Sequence, residues 1–194
     1  MTVDLSAEAT PRARRPGDAY YTPAWCVRRL VERVALPGGD WLDPCAGNGA
    51  LVRAFARPDV RWSAVELDPA AAAQIPPDVT VDVGDYLSWR PTRPVDVVVT
   101  NPPFSLAEAF LRKALDEAPC VAFLLRLHFL AATCRADLLR ARTPDVYVLP
   151  NRPAFLGNGE RDNMEYGWCV WGTPGSGGRF EVLAVTPPSE RRAG

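Results

Sequence analysis

Apolar residues along this chain form two alternating kinds of pattern. Short apolar runs rich in Val, Leu and Trp are typical of buried strands, and they alternate with segments in which apolar residues recur at helical spacing. In one such segment Val27, Leu30, Val31 and Val34 share one helix face. Strands are predicted over residues 40–43, 62–67, 79–83, 95–100, 120–127, 145–149 and 166–171, with 180–185 as a further candidate at an edge.

Helices are predicted between most of these strands. Thr22 is a candidate N-cap with Pro23 at the first helical position, and Ser105 and Glu108 have the spacing of a capping box. Further helices are predicted over 50–56, 69–74 and 130–142. Strands that alternate with helices imply an α/β fold, a mostly parallel sheet with helices on both faces. Ligands of such sheets lie beyond the carboxyl ends of the strands.

Length and composition predict a single domain. The chain has 194 residues, and we expect a disordered tail over 1–16, one domain over 17–186 and a flexible tail over 187–194. The net charge is −1, with 22 basic and 23 acidic residues, so the overall balance gives no nucleic-acid footprint. Five scattered cysteines without a C-x-x-C pair fit a reduced cytoplasm. No signal peptide or membrane-spanning stretch is apparent.

The segment with the most specific chemistry is Asn101-Pro102-Pro103-Phe104, directly after the apolar run 95–100. The prolines fix φ and lack an N–H, so they hold the turn in one shape. The Asn101 side-chain oxygen and the Pro102 carbonyl can accept both hydrogens of a planar –NH₂ group, while Phe104 stacks on the group's plane. An amine held in this way becomes nucleophilic, and it needs an electrophile.

A second set of residues indicates a site for the electrophile's carrier. Gly47 and Gly49 follow the first strand in a Gly-rich turn, where the backbone can approach a ligand closely. Glu66 lies about 20 positions further on, the spacing of a ribose-binding acid in Rossmann-like folds. Asp85 follows the third strand and can accept a hydrogen bond from an adenine amine. The turn matches neither the G-x-G-x-x-G fingerprint nor a P-loop.

Together, the motifs at 43–49, 66–68, 84–86 and 101–104 resemble the ordered motifs of class I S-adenosylmethionine-dependent methyltransferases. The last motif is similar to that of gamma-class adenine-N6 DNA methyltransferases, as is Tyr21-Thr22-Pro23. The resemblance implies a Rossmann-like sheet of seven strands in the order 3-2-1-4-5-7-6, with strand seven antiparallel. It implies that S-adenosyl-L-methionine is bound by Tyr21, Thr22, Asp43, Cys45, Gly47, Gly49, Glu66, Leu67, Asp85, Tyr86 and Asn101.

The resemblance also assigns the reacting side of the site. It implies catalysis by Asn101, Pro102 and Phe104, and substrate binding by Pro103, Phe104, Arg126, Arg152 and Phe155. Two of these assignments stay open. Phe155 either stacks on a flipped base opposite Phe104 or anchors its loop in the core, and Arg126 either meets a phosphate or pairs with a carboxylate. We expect no metal, because transfer from a sulfonium needs none and no ligand cluster is apparent.

The favoured function is methylation of N6 of adenine, in DNA rather than RNA. Alternatives are methylation of a protein glutamine, an RNA guanine or a nucleoside, since these present the same two amine hydrogens. A non-catalytic subunit with the same fold is a third class, which the intact Asn101 and Gly-rich turn disfavour. Because the chain leaves no room for a separate target-recognition domain, we expect a specificity partner or a homodimer, and no membrane contact.

Overall fold

The computed structural model of the protein describes residues 21–155, 162–173, 175 and 177–191. The predicted tail over 1–16 lies outside these residues. The helices are α1 (Ala24–Val31), α2 (Ala50–Ala54), α3 (Pro69–Ala72), α4 (Ala107–Glu117), α5 (Ala136–Ala141) and α6 (Pro188–Arg191). The strands are β1 (Gly39–Asp43), β2 (Val60–Glu66), β3 (Thr80–Val83), β4 (Val97–Thr100), β5 (Cys120–Arg126), β6 (Asp145–Leu149), β7 (Tyr166–Trp171) and β8 (Phe180–Val182).

All eight strands form one sheet in the order β3-β2-β1-β4-β5-β7-β6-β8. The predicted order and the antiparallel β7 are confirmed, because β7 pairs antiparallel with both β5 and β6. The predicted count of seven strands is wrong. β8 adds an eighth by pairing parallel with β6, and its alternation of exposed and half-buried residues is the pattern of an edge strand.

Each face of the sheet carries its own core. Successive residues of a strand point to opposite faces, so Val97 and Val99 join one cluster and Val98 joins the other. The first cluster lies between the sheet and α1 and α2, and it includes the edge-on pair of Trp41 and Trp62, whose ring centroids are 5.3 Å apart. The second lies under α4. The predicted two-faced α/β architecture is confirmed.

Several local predictions need correction. α1 begins at Ala24, so Pro23 and not Thr22 occupies the cap position, and no side chain caps it. α4 begins after Leu106, and the predicted capping box does not form. The predicted helix over 130–142 is instead a pair of 3₁₀ turns (Leu127–Ala131 and Thr133–Arg135) followed by α5. Within 187–194, α6 is tied to α1 by an ion pair of Arg29 with Glu190.

No helix in the described part of the chain is long and apolar enough to cross a membrane.

Candidate active site

The carboxyl ends of the parallel strands meet at one edge of the sheet. The loop after β1, Glu66 of β2, the turn after β4 and Arg126 of β5 all lie there. β1 pairs with both β2 and β4, so the strand order reverses between β1 and β4. In open α/β sheets this reversal is where ligands bind. The motifs predicted from sequence therefore converge on one place.

The Gly-rich loop is held by a carboxylate of the neighbouring strand. Gly47 and Gly49 have φ values of 55° and 83°, in the left-handed region that side chains rarely adopt. The N–H of Gly47 donates to Oε2 of Glu66 at 2.7 Å, and that of Gly49 donates to the carbonyl of Ala46 at 2.8 Å. The loop is thus closed on itself and pinned to β2.

Glu66 shapes the loop on both sides. It is 1% exposed, and its second oxygen, Oε1, accepts the N–H of Asp68 at 3.0 Å. Asp68 in turn accepts the N–H of Ala70 at 2.9 Å and so caps α3, the ordinary role of an Asp before Pro. Leu67, between them, is 60% exposed and offers an apolar surface beside the loop.

Asp85 and Tyr86 are adjacent in sequence but lie in different environments. Asp85 is exposed, and its carboxylate accepts the N–H of Leu87 at 3.0 Å. Tyr86 is 1% exposed, its hydroxyl donates to Glu117 at 2.7 Å and its ring centroid lies 4.9 Å from that of Phe110. Burial and the hydrogen bond to Glu117 raise the pKa of Tyr86. Tyr86 anchors α4 in the core, so this geometry gives its predicted cofactor contact no support.

Asp43, at the tip of β1, is buried beneath the loop. Its Oδ1 accepts the hydroxyl of Thr100 at 2.7 Å and the N–H of Cys45 at 3.2 Å. The pKa of Asp43 is raised to about 7, chiefly by burial and also by the nearby Glu66. Both hydrogen bonds act in the opposite direction and lower this pKa. Thr100 was not singled out from the sequence. A hydroxyl before the Asn-Pro-Pro-Phe turn gives no signal until the pairing of β1 with β4 brings it to Asp43.

The turn after β4 presents an unsatisfied acceptor. Oδ1 of Asn101 is buried and has no hydrogen-bond partner among the described residues. A buried polar atom without a partner is costly, and native proteins retain few of them. Pro102 is buried, and the carbonyl of Pro103 accepts the N–H of Leu106 at 2.9 Å, which closes the turn onto α4. The oxygen predicted to accept an amine hydrogen is therefore unpaired among the described residues.

A second unsatisfied oxygen belongs to Asn48, within the Gly-rich loop. Its Oδ1 is also buried without a partner among the described residues. Asn48 carries no signal in the sequence, since an Asn between two glycines is common in loops. Two orphaned acceptors, one in the loop and one in the turn, indicate a ligand that carries hydrogen-bond donors.

Phe104 is covered on one side by Arg126. The guanidinium carbon lies 3.7 Å from the Phe104 ring centroid, a close cation–π contact. The guanidinium donates to Oδ2 of Asp162 at 2.9 Å and to the hydroxyl of Tyr166 at 3.0 Å, and that hydroxyl donates to Asp162 at 2.6 Å. Arg126 therefore pairs with a carboxylate, one of the two roles left open by the sequence.

Phe155 lies in the core. It is 2% exposed, and its ring meets that of Tyr166 edge-on at 5.0 Å between centroids. Its carbonyl accepts the N–H of Tyr21 at 3.1 Å, and a Cβ added at Gly47 would lie 3.5 Å from the Tyr21 ring. Of the two roles left open for Phe155, the structure places it as the loop anchor. Thr22, beside Tyr21, is 5% exposed.

Arg152, the last predicted substrate residue, forms an exposed ion pair with Glu165, with Nε 3.1 Å from Oε1. Arg161, which the sequence places with Arg126 and Arg152 as a phosphate contact, lies outside the described residues. No group of three or more His, Cys, Asp and Glu side chains that could hold a metal ion occurs in the described ranges.

Comparison with known sequences finds partial relatives. No family model matches. The chain is 35% identical over 89 residues to the Type II methyltransferase M.TthHB8I of Thermus thermophilus, which is 44% of this chain and 21% of that protein. It is 28% identical over 127 residues to an rRNA adenine N-6-methyltransferase of Corynebacterium diphtheriae, 63% of this chain and 50% of that protein. The chain thus spans from about a fifth to half the length of these relatives.

Solved structures share the fold. A Listeria monocytogenes protein described as a class I S-adenosylmethionine-dependent methyltransferase matches with a TM-score of 0.60 and 15% identity, over 86% of this chain and 64% of its own. The 23S rRNA methyltransferase ErmE matches with a TM-score of 0.58 and 14% identity, over 87% and 72%.

The chain therefore has the Rossmann-like fold of the class I methyltransferases, and the resemblance read from its sequence is confirmed at that level. The cofactor that the fold and the relatives imply is S-adenosyl-L-methionine. The residues present fit such a ligand. It carries an ammonium, hydroxyls and an amine as donors, and the site offers the unsatisfied carboxamide oxygen of Asn48 and the buried carboxylate of Glu66 as acceptors.

Proposed function

We propose that this protein transfers a methyl group from S-adenosyl-L-methionine to an exocyclic amine, most favourably N6 of adenine in nucleic acid. The observation that carries the proposal is the buried, unpartnered Oδ1 of Asn101 at the tip of β4, beside the Gly-rich loop. An acceptor in that position gains a partner when an –NH₂ group enters. The adenine target draws further support from the similarity to the rRNA adenine N-6-methyltransferase of Corynebacterium diphtheriae.

The cofactor would be held at the Gly-rich loop. Gly47 and Gly49 let the main chain approach it, Glu66 fixes that main chain, and the exposed Leu67 and Asp85 border the same edge. When bound, the cofactor supplies an electrophilic methyl group on a sulfonium. The predicted contacts of Tyr21, Thr22 and Cys45 form the other wall of this site and remain part of the proposal.

The chain's own residues supply position and charge stabilisation. Asn101 and the Pro102 carbonyl accept the amine hydrogens, which directs the nitrogen lone pair towards the methyl group and stabilises the positive charge that develops on nitrogen. Phe104 and Pro103 border the plane of the base. A base inside a duplex cannot reach this turn, so a duplex substrate has to be flipped.

Recognition of the nucleic acid rests on fewer contacts than the sequence predicts. Arg126 and Arg152 are both engaged by carboxylates, so the affinity of this chain alone should be modest. We therefore retain a specificity partner or a second copy as part of the proposal, with DNA favoured over RNA by the gamma-class motif order.

The experiment is incubation of the protein with tritiated S-adenosyl-L-methionine and, in separate reactions, duplex DNA, total RNA and a peptide-release factor. Labelled products are digested and analysed by mass spectrometry. N6-methyladenine in DNA is the expected result. N6-methyladenine in RNA alone would show that the substrate is RNA and would leave the proposed reaction unchanged. Label only on a protein glutamine, or methylcytosine as the only modified base, would contradict the adenine assignment.

A further inference from the structure

Thr100, the last residue of β4, connects the cofactor loop to the reacting turn. It is 0% exposed, and its hydroxyl donates to Oδ1 of Asp43 at 2.7 Å. The N–H of Cys45 donates to the same oxygen at 3.2 Å. One buried carboxylate oxygen therefore receives hydrogen bonds from the tip of β4 and from the loop that follows β1.

The thiol of Cys45 extends this connection to the reacting residue itself. Its Sγ lies 2.9 Å from Oγ1 of Thr100 and donates to the main-chain carbonyl of Asn101 at 3.4 Å. Because the Thr100 hydroxyl gives its proton to Asp43, its oxygen is left as an acceptor for the thiol. The single S–H is thus shared between the Thr100 oxygen and the Asn101 carbonyl, two successive residues of the turn.

The turn needs such a bridge because of its composition. Pro102 and Pro103 have no N–H, so the main chain just after Asn101 cannot be anchored by donors of its own. It can be held only through its carbonyls or through the residues before it. The carbonyl of Asn101 is held by Cys45 and that of Pro103 by the N–H of Leu106, whereas Oδ1 of Asn101 is left unbound.

We propose that Thr100 and Cys45 are positioning residues, which fix the main chain of Asn101 against the Gly-rich loop so that its side-chain oxygen points at the amine. The inference rests on the proposed function for its kinetic consequence, but not for its structural one. It assigns a positioning role to the Thr100 hydroxyl, and it adds the same role to Cys45 beside the cofactor contact already proposed for that residue.

The test compares Thr100→Val with Thr100→Ser. Valine keeps the shape and the strand propensity but removes the hydroxyl, whereas serine keeps the donor and removes a methyl. With saturating cofactor, Thr100→Val should transfer methyl groups about tenfold more slowly, the rate equivalent of one hydrogen bond. Its KM for nucleic acid should be unchanged, and Thr100→Ser should stay within about threefold of wild type.

The pH profile provides a readout that a packing defect would not move. Asp43, the partner of Thr100, is faced by the charged Glu66 from β2, and it accepts hydrogen bonds from the Thr100 hydroxyl and the N–H of Cys45. Because the Thr100 hydrogen bond lowers the pKa of Asp43, its removal should raise that pKa. The ionised carboxylate accepts the hydrogen bonds of the loop and the turn more strongly than the protonated carboxyl, so transfer should decline as Asp43 becomes protonated. The acid limb of the rate profile should therefore move to higher pH in Thr100→Val and not in Thr100→Ser.

A second pair tests the thiol. With saturating cofactor, Cys45→Ala removes the donor and should be slowed about as much as Thr100→Val, whereas Cys45→Ser keeps a donor and should recover part of that loss. Cys134→Ala serves as the control, because this cysteine is exposed and lies beyond β5.

Hydrogen exchange separates the bridge from the function. Peptides covering 101–106 should exchange faster in Thr100→Val than in Thr100→Ser, with S-adenosylhomocysteine present, whether or not any substrate is methylated. Equal exchange in the two variants would overturn the bridge even if the wild type is inactive. Equal transfer rates and pH profiles in an active protein would overturn it as well. Absence of methyl transfer by wild type with the exchange difference intact would refute only the proposed function.

Discussion

The two halves of the carboxyl edge are held together in different ways. In the cofactor half, the loop after β1 is fixed by main-chain donors on two buried carboxylates, Asp43 and Glu66. In the target half, Phe104 is contacted by side chains of β5 and β7, which lie far from it in sequence, chiefly Arg126 and Tyr166. The first half depends on backbone shape, and the second depends on a network of side-chain contacts. Substitutions should therefore separate cofactor binding from target binding.

The largest expected effect is that of Asn101→Ala in the target half. The methyl-transfer rate should fall by about 10²–10³-fold, the cost of removing one preorganised polar contact to a developing charge. The cofactor dissociation constant should change little, because the side-chain oxygen is proposed to touch the amine. Single-turnover rates and calorimetry measure the two quantities. As a control, Gln74→Ala removes an exposed carboxamide just after α3, and it should leave the transfer rate and the cofactor affinity unchanged. Full activity in Asn101→Ala would refute the central assignment.

Next in size is Glu66→Ala in the cofactor half. Cofactor binding should weaken by about 1.5–3 kcal/mol, the scale of hydrogen bonds to a charged group, because Gly47 and Asp68 lose the acceptor that orders their N–H groups. Calorimetry with S-adenosylhomocysteine measures this without turnover. The control is Asp116→Ala, an exposed acid on α4. Unchanged affinity in Glu66→Ala would show that the loop does not depend on this carboxylate.

The sequence predicts some features of the fold and the site, and it leaves others open. The strand order and the antiparallel β7 follow from the family resemblance alone. The gathering of the motifs follows from strands that alternate with helices, because each motif comes directly after one strand of a parallel sheet. The role of Tyr86 does not follow, since neighbouring residues at a strand end point to opposite sides and only packing decides which side holds the ligand. The roles of Phe155 and Arg126 are set by contacts with the long connection between β6 and β7. The residues that meet in these contacts lie far apart in sequence, so the sequence left both roles open.

A third prediction concerns the pH dependence of stability in the cofactor half. The pKa of Asp43 is raised from 3.8 to about 7, chiefly by burial. Between these values the native state holds a proton that the unfolded chain releases, so the free energy of unfolding should fall as pH rises from about 4 to about 7. In Asp43→Asn, whose amide oxygen can still accept from Thr100 and Cys45, this component should vanish. Denaturant unfolding at several pH values measures the difference.

The outcome for Asp43 has a clear opposite. If wild type and Asp43→Asn keep a constant difference in unfolding free energy across that range, the carboxyl is ionised throughout and its burial is compensated. Such a result would bring the cofactor half closer to the target half, in which the ion pair of Arg126 with Asp162 compensates a partly buried carboxylate.

The smallest expected effect concerns two arginines of the target half, which should differ in how they change the salt dependence of nucleic-acid binding. Arg126 is paired with Asp162 and stacked on Phe104. Arg126→Met should therefore reduce kcat/KM by disturbing the base site, and the salt dependence of nucleic-acid binding should stay unchanged.

Arg152 forms only an exposed pair with Glu165, and such pairs contribute about 0–1 kcal/mol. It can exchange Glu165 for a phosphate, and Arg152→Ala should then lower the slope of log K against log salt for duplex DNA by about 0.9. Fluorescence anisotropy at several salt concentrations measures both slopes, and Arg140→Ala, on the exposed face of α5, is the matched control. A lower slope in Arg126→Met would return this residue to the phosphate role, and it would mean that the pair with Asp162 opens when nucleic acid binds.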